Sequence, residues 1–173
     1  MTERIRTVLR DGMITEAEFK CGASLASHGL LGFMKQMKLH NLDLSPVLTK
    51  HMATLASSIT RSLAIVNVKG NLLSTLTNLK CKDLGISRQS LGREETRALV
   101  HTMELHVKVV LLSDEVTLDV ESLAEYSGQG VCWCVCLSGD LVASYRLKLR
   151  TWARRQNWRV FVEDNDDMYL IRK

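Results

Sequence analysis

Two stretches of the chain share one spacing of apolar residues, and this spacing limits the possible folds more than any other feature. The stretches cover residues 34–44 and 76–86, and their matching apolar residues are Met34, Met37, Leu39, Leu42 and Leu44, then Leu76, Leu79, Cys81, Leu84 and Ile86. The third residue lies two positions after the second, so both side chains project from one face of a short strand. Units of this kind bury their apolar face only by stacking on one another, which predicts a continuous shared core.

The spacing is that of the leucine-rich-repeat signature LxxLxLxxNxL, with Leu42 and Leu84 in place of the usual Asn or Cys. An amphipathic helix pattern follows each stretch. Predicted strand centres fall near Met37, Ile65, Leu79, Val109, Cys134 and Val160. The successive steps are about 28, 14, 30, 25 and 26 residues, and all but the second are near the period of long repeats.

Local patterns predict the following elements. The strands are 35–40, 63–68, 78–82, 106–112 and 131–137, and the main helices are 15–28, 46–59, 90–105 and 140–156. A hairpin is predicted from 158–163 and 168–172. The later strands keep only the two alternating core residues, Val109 with Leu111 and Cys134 with Cys136.

The predicted fold class is therefore α/β: a short leucine-rich-repeat-like solenoid of parallel strands with outer helices. Residues 1–33 are expected to form a helical N-terminal cap, 34–157 the degenerate repeats and 158–173 a capping hairpin. A doubly wound parallel sheet is the alternative, because it too alternates strands and helices. Such a sheet is not expected to keep the repeat period.

Residues 83–104 (DLGISRQSLGREETRALVHTME) and 107–128 (VKVVLLSDEVTLDVESLAEYSG) resemble the leucine-rich-repeat regions of ribonuclease-inhibitor-like and NACHT-type innate-immune receptor proteins. The resemblance extends over roughly residues 31–160 and implies a ligand-sensing or scaffolding surface. No nucleotide-binding loop G-x-x-x-x-G-K-[ST] is present in the sequence. The chain would therefore correspond to the repeat part of such a receptor, or to a free-standing relative.

Charge and cysteine content restrict the class of protein. The formal net charge is +4, which permits an anionic partner without requiring one. No apolar run has the roughly 18 residues that a membrane span needs, and the N-terminal residues lack the apolar stretch of a signal peptide. The five cysteines are an odd number, which disfavours a disulfide scaffold. We therefore expect a cytoplasmic protein that does not bind membranes.

Two motifs suggest metal binding, but both have a simpler interpretation. Residues 10–19 resemble the second half of a calcium-binding loop, yet Thr7 and Leu9 stand where that loop needs its first oxygen ligands. The run CWCVC at 132–136 places three thiols on one strand face, too far apart to share one zinc ion. We expect a capped helix and buried core thiols, with no metal and no cofactor.

The predicted function is non-catalytic protein binding through the concave strand face. Residues beside the core positions are expected on that face, and the candidates are Lys38, His40, Lys80, Lys82, Lys108, Trp133, Arg159 and Phe161. Their cations favour a protein partner with an acidic surface, and Trp133 would be an aromatic anchor. One alternative is nucleic-acid binding by the same basic face. The other is an α/β enzyme whose site has no sequence motif.

Overall fold

The computed structural model describes residues 36–40, 46–57, 59–113, 115–126, 129–164 and 166–173. The predicted helix 15–28, the N-terminal cap 1–33 and the partial calcium loop lie outside the described residues. Among the described residues, no helix is both long enough and apolar enough to cross a bilayer.

Strands and helices alternate along the described chain. The strands are β1 (Gln36–His40), β2 (Ser62–Val66), β3 (Asp83–Ser87), β4 (Ser90–Leu91), β5 (Val109–Ser113), β6 (Thr117–Leu118), β7 (Cys134–Leu137), β8 (Trp158–Val162) and β9 (Met168–Arg172). The helices are α1 (Pro46–Ala56), α2 (Leu73–Thr77), α3 (Arg93–Leu105), α4 (Val120–Ala124) and α5 (Gly139–Arg155). The predicted hairpin at the end of the chain is confirmed.

Seven strands form one sheet in the order β1-β2-β3-β5-β7-β9-β8. The first five are parallel, β9 is antiparallel to β7, and β8 is antiparallel to β9. β4 and β6 form a separate parallel pair. The parallel strands follow chain order without a reversal, so the described sheet lacks the switch point of a doubly wound fold. The fold is thus α/β with a mostly parallel sheet.

One face of the sheet is packed into the hydrophobic core. Its buried residues alternate along each strand, as the two-residue period of a strand requires: Leu63 and Ile65, Leu84 and Ile86, Val110 and Leu112, Val135 and Leu137, and Met168 and Leu170. Residues Met52, Leu76, Leu99, Met103, Leu123 and Trp152 cover this face from the helices. Helices of consecutive crossovers also pack against each other.

The strand predicted at 78–82 is wrong, because residues 78–82 form no strand and β3 begins at Asp83. Leu79 and Cys81 are buried as predicted, but they lie in the segment that leads into β3. The pair on the strand itself is Leu84 and Ile86, which align with Leu63 and Ile65 of β2. With this correction the irregular step disappears, since the five parallel strands begin at 36, 62, 83, 109 and 134, steps of 26, 21, 26 and 25 residues.

The core positions predicted in two later strands are also wrong. Val109 and Leu111 are not core residues, since Val110 and Leu112 are fully buried and Leu111 is 44% exposed. The cross-strand register decides this, because Leu84 pairs with Val110 and not with Val109. In β7 the same register puts Val135, and not Cys134, in the core.

The chain leaves three consecutive parallel strands through a residue in the left-handed region. These residues are Asn67 (φ 49°), Arg88 (φ 49°) and Glu115 (φ 53°), just after β2, β3 and β5. A non-glycine residue rarely adopts this conformation, so its recurrence indicates that the three turns share one construction.

Candidate functional site

The sheet face opposite the core carries the residues that alternate with the buried ones. We call this surface the open face, and on the described strands β2 to β9 it consists of Ser62, Ala64, Val66, Asp83, Gly85, Ser87, Val109, Leu111, Ser113, Cys134, Cys136, Tyr169, Ile171, Arg159 and Phe161. The buried helix residues pack in the core, on the other side of the sheet. The open face is therefore the broad surface on which a ligand can meet several strands at once.

The middle of the open face is a continuous apolar row. Cross-strand pairing places its members side by side in the order Ala64, Gly85, Leu111, Cys136, Tyr169 and Phe161. Adjacent strands are about 4.8 Å apart, so the row is about 24 Å long. Leu111 is 44% exposed and Phe161 is 51% exposed. Cys136, between these two residues in the row, is only 8% exposed. Exposed apolar side chains grouped on one surface are typical of binding sites.

Gly85 makes a shallow depression in this row. A Cβ atom added there would meet the Ala64 Cβ at 3.9 Å and the Ala64 Cα at 4.0 Å, which is ordinary van der Waals contact. Packing within the described chain therefore does not require a glycine at this position. The missing side chain leaves the flank of Leu111 accessible from the side of β2.

Tyr169 and the two cysteines of the open face stay uncharged at neutral pH. The pKa of Tyr169 is raised to about 12, mainly because the Tyr169 hydroxyl forms a hydrogen bond with Cys136. The Tyr169 hydroxyl also donates to Oε2 of Glu163 at 3.3 Å. Burial raises the pKa of the Cys134 and Cys136 thiols. Since the thiolate is the reactive form and both thiols are buried, these cysteines are poor nucleophiles.

Three of the predicted site residues lie at the amino-terminal edge of the parallel strands and not on the open face. Lys82, Lys108 and Trp133 directly precede β3, β5 and β7. Backbone hydrogen bonds join them in a row, from Lys108 N to Lys82 O at 2.6 Å and from Trp133 N to Lys108 O at 2.9 Å. Arg61 extends the row, since its carbonyl accepts from Lys82 N at 2.8 Å. We call Arg61, Lys82, Lys108 and Trp133 the basic edge.

The side chains of the basic edge are exposed. With the described residues, the three cations form no ion pair. Trp133 is 47% exposed. Two other exposed apolar side chains lie near it: Val131 is 38% exposed and Leu105 is 53% exposed. Val131 N donates to the carbonyl of Glu104, next to Leu105, at 3.1 Å. This edge combines positive charge with exposed apolar surface.

The other predicted site residues are divided between three places. Arg159 and Phe161 lie on the open face, at the positions of β8 that pair with Ile171 and Tyr169. Lys80 is exposed in the loop before β3. Lys38 and His40 lie on β1, where their backbones pair with Ala64 and Val66, and their side chains are outside the described set.

Sequence reasoning missed Gly85, Leu111 and Tyr169 as surface residues. Leu111 belongs to the uniformly apolar run VVLL, in which alternation cannot distinguish the two faces. Tyr169 reaches the row only because β9 is inserted between β7 and β8. Gly85 gave the single available signal, since a glycine inside a strand often marks a close approach of another molecule.

The three thiols of CWCVC do not share one face. Cys134 and Cys136 lie on the open face, whereas Cys132 precedes β7 and is fully buried in the core beside Tyr126. The Tyr126 hydroxyl donates to the Cys132 carbonyl at 3.3 Å. Burial raises the pKa of Cys132 to about 12. Among the described residues, no group of three His, Cys, Asp or Glu side chains is arranged to hold a metal ion.

No protein-family model, curated protein or solved structure matches this chain. Its function is therefore inferred from the open face and the basic edge.

Proposed function

We propose that the chain is a non-catalytic protein-binding module of the leucine-rich-repeat type, which holds its partner on the open face. The observation that carries the proposal is the apolar row from Ala64 to Phe161, which exposes Leu111 and Phe161 on a surface shared by six strands. The sequence resemblance to immune-receptor repeat regions favours a ligand-sensing or scaffolding role for this surface.

The corrected alignment supports the repeat assignment. Cys81, Leu84, Ile86, Gln89 and Leu91 follow the signature LxxLxLxxNxL, with Gln89 at the Asn position. A polar side chain at this position can bond the backbone of the neighbouring unit and hold the turns together. Gln89 does so, since its amide bonds the N–H and the carbonyl of Val68, one unit earlier.

The charges beside the open face favour a partner with both apolar and acidic groups. Arg61, Lys82 and Lys108 line the end of the face from which the parallel strands start, and Arg159 is exposed on the face itself. Apolar contact with the row would supply most of the binding free energy. The cations would attract and orient an acidic flank of the partner.

The test introduces one charge into the apolar row and identifies the proteins that the immobilised chain captures. Leu111→Asp places a carboxylate in the middle of the row and should weaken capture of a specific partner at least about tenfold. Leu147→Asp is the matched control, because Leu147 is 80% exposed on α5, away from the open face. A partner that survives Leu147→Asp and is lost with Leu111→Asp supports the proposal. An identical set of captured proteins for both variants contradicts it.

The acidic character of the partner has its own test. The double variant Lys82→Glu with Lys108→Glu reverses two cations of the basic edge. It should slow association with the partner identified above, and the loss should shrink at high salt. The control is Lys50→Glu with Arg93→Glu, which removes the same number of exposed cations from α1 and α3. Equal association rates for the two double variants would contradict a role for the basic edge.

A second candidate function, nucleic-acid binding, is favoured by the basic edge alone. Three cations follow one another on neighbouring strands beside an exposed tryptophan, a combination suited to phosphates and a stacked base. Phosphate contacts make affinity fall steeply with salt. Fluorescence anisotropy with single-stranded RNA and DNA at two salt concentrations tests this candidate, and absence of binding at low salt eliminates it.

A further inference from the structure

Strand β8 forms one edge of the seven-stranded sheet, where it pairs with β9. Glu163 N donates to the Asp167 carbonyl at 3.0 Å, which continues the β8–β9 ladder by one pair. Hydrogen-bonded and non-hydrogen-bonded pairs alternate in an antiparallel ladder. The backbone N–H and carbonyl groups of Phe161 and Arg159 therefore form hydrogen bonds with Tyr169 and Ile171 of β9. Trp158, Val160 and Val162 therefore direct their N–H and carbonyl groups outward, away from the sheet.

This edge lacks the features that usually prevent strand pairing. Residues 158–162 read WRVFV, with no proline or lysine and with Arg159 as the single charge. Phe161 is 51% exposed and Val162 is 39% exposed. Among the described residues, no strand or helix residue hydrogen-bonds the outward side of β8. An apolar edge with outward-facing backbone groups is a template for another strand.

We propose that β8 pairs antiparallel with β8 of a second copy of this chain, about a two-fold axis at Val160. The axis puts Val160 opposite its own equivalent, and Trp158 opposite Val162 of the second copy. These are the residues whose backbone groups point outward, so the pairing forms about six interchain hydrogen bonds. The two sheets then continue as one across the dimer, with an isologous interface.

The sequence around β8 is self-complementary about this axis. On the open face, Arg159 of one copy comes opposite Phe161 of the other, an arrangement that allows a cation–π contact. Beyond the strand, the exposed acidic turn Glu163–Asp164 of one copy approaches the helix end of the other, where Arg154 and Arg155 are exposed. Opposite charges thus meet at both ends of the paired strands. This complementarity favours a second copy of the chain over an uncharged peptide as the partner of β8.

The experiment compares the mass of the full chain in solution across a concentration series, by light scattering and sedimentation. The wild type should change from the monomer mass to twice that mass as concentration rises. Val160→Lys and Val160→Glu each place like charges together on the axis, and each should raise the dimer dissociation constant at least about tenfold. An equal mixture of the two variants should restore a dimer, because the axis then joins opposite charges. A wild type that stays monomeric, or a mixture that does not reassociate, overturns the proposal.

A second variant covers the case in which a charge at Val160 prevents folding. Val162→Pro removes one outward N–H and leaves the β8–β9 ladder complete, since proline is tolerated at an edge position of this kind. It should weaken the dimer at least about tenfold. Leu147→Lys changes an exposed leucine far from β8 and should dimerise like the wild type. A Val162→Pro variant that folds and dimerises normally also overturns the proposal. The substitutions at Val160 and Val162 leave Leu111 unchanged. The measured dimerisation is therefore independent of partner capture by the open face.

Discussion

The side chain of Gln89 bonds both backbone polar groups of Val68, 21 residues earlier in the chain. Its Oε1 accepts from the Val68 N–H at 3.0 Å, and its Nε2 donates to the Val68 carbonyl at 2.8 Å. Val68 is buried and lies just beyond β2, while Gln89 lies just beyond β3. One side chain thus fixes the spacing of two neighbouring turns.

Gln89→Ala should lower the free energy of unfolding by about 1–3 kcal/mol, because it leaves two buried backbone groups without a partner. The measurement is urea unfolding followed by circular dichroism. Lys80→Ala is the control, since Lys80 is exposed and should change stability by less than about 0.5 kcal/mol. Equal stability of the two variants would show that water replaces the Gln89 amide at no cost.

Two glycines should respond oppositely to a methyl group. At Gly130 an added Cβ would overlap the Cα of Glu104 and come within 2.9 Å of the Met103 and Glu104 carbonyl oxygens. Gly130→Ala should therefore cost about 1–3 kcal/mol through backbone displacement. Gly85→Ala should change stability by less than about 1 kcal/mol, since its Cβ meets Ala64 at ordinary contact distance. Thermal unfolding of both variants measures the contrast, and a Gly130→Ala protein as stable as the wild type would contradict it.

The protein should lose stability as the pH rises above 9. Burial raises the pKa of Cys81 and of Cys132 from the ordinary thiol value of about 9 to about 12. Between these values the unfolded chain releases the thiol proton and the folded chain keeps it, so unfolding becomes more favourable with pH. Each thiol contributes a slope of about −1.4 kcal/mol per pH unit. Below pH 9 both states are protonated and this contribution to the pH dependence vanishes.

The slope can be assigned to a residue by substitution. Cys132→Ala should reduce the steepness of the stability decline between pH 9 and 11, whatever its effect on stability at neutral pH. Urea unfolding at several pH values under reducing conditions measures this. A decline with the same slope in the wild type and the variant would show that Cys132 ionises normally in the folded protein.

Trp133 should be the tryptophan that reports on the surface. It is 47% exposed, whereas Trp152 and Trp158 are 5% and 3% exposed and pack together with ring centroids 5.7 Å apart. Iodide should quench the Trp133 emission better than caesium does, because Lys82 and Lys108 attract anions to this edge. Trp133→Phe should abolish most of the iodide quenching. Unchanged quenching in that variant would place the accessible tryptophan elsewhere.

The strand error at 78–82 has a definite cause in the signature itself. Apolar residues separated by 3, 2, 3 and 2 positions overlay on themselves after a shift of five residues. Leu79 with Cys81 and Leu84 with Ile86 therefore fit the strand pair equally well. Cross-strand pairing of Leu84 with Leu63 selects the second pair. Local spacing alone contains no information about that choice.

The positions of the proposed binding residues were predicted less well than the fold. Arg159 and Phe161 lie on the open face, and the alternation in β8 is marked by charge and aromaticity. Lys82 and Lys108 were assigned to the strand face and instead precede their strands. An error of one residue moves a side chain to the other face of a sheet, so the site depended on strand limits that the sequence defines only loosely.

The amino-acid sequence was sufficient to predict the alternation of strands and helices and the closing hairpin. These features depend on local periodicity, caps and turn residues, which act over a few neighbouring positions. The tertiary structure alone decided which residues of each apolar run face the core, and that β9 lies between β7 and β8. Both depend on pairing between strands that are more than twenty residues apart, where the burial of whole faces outweighs local preference.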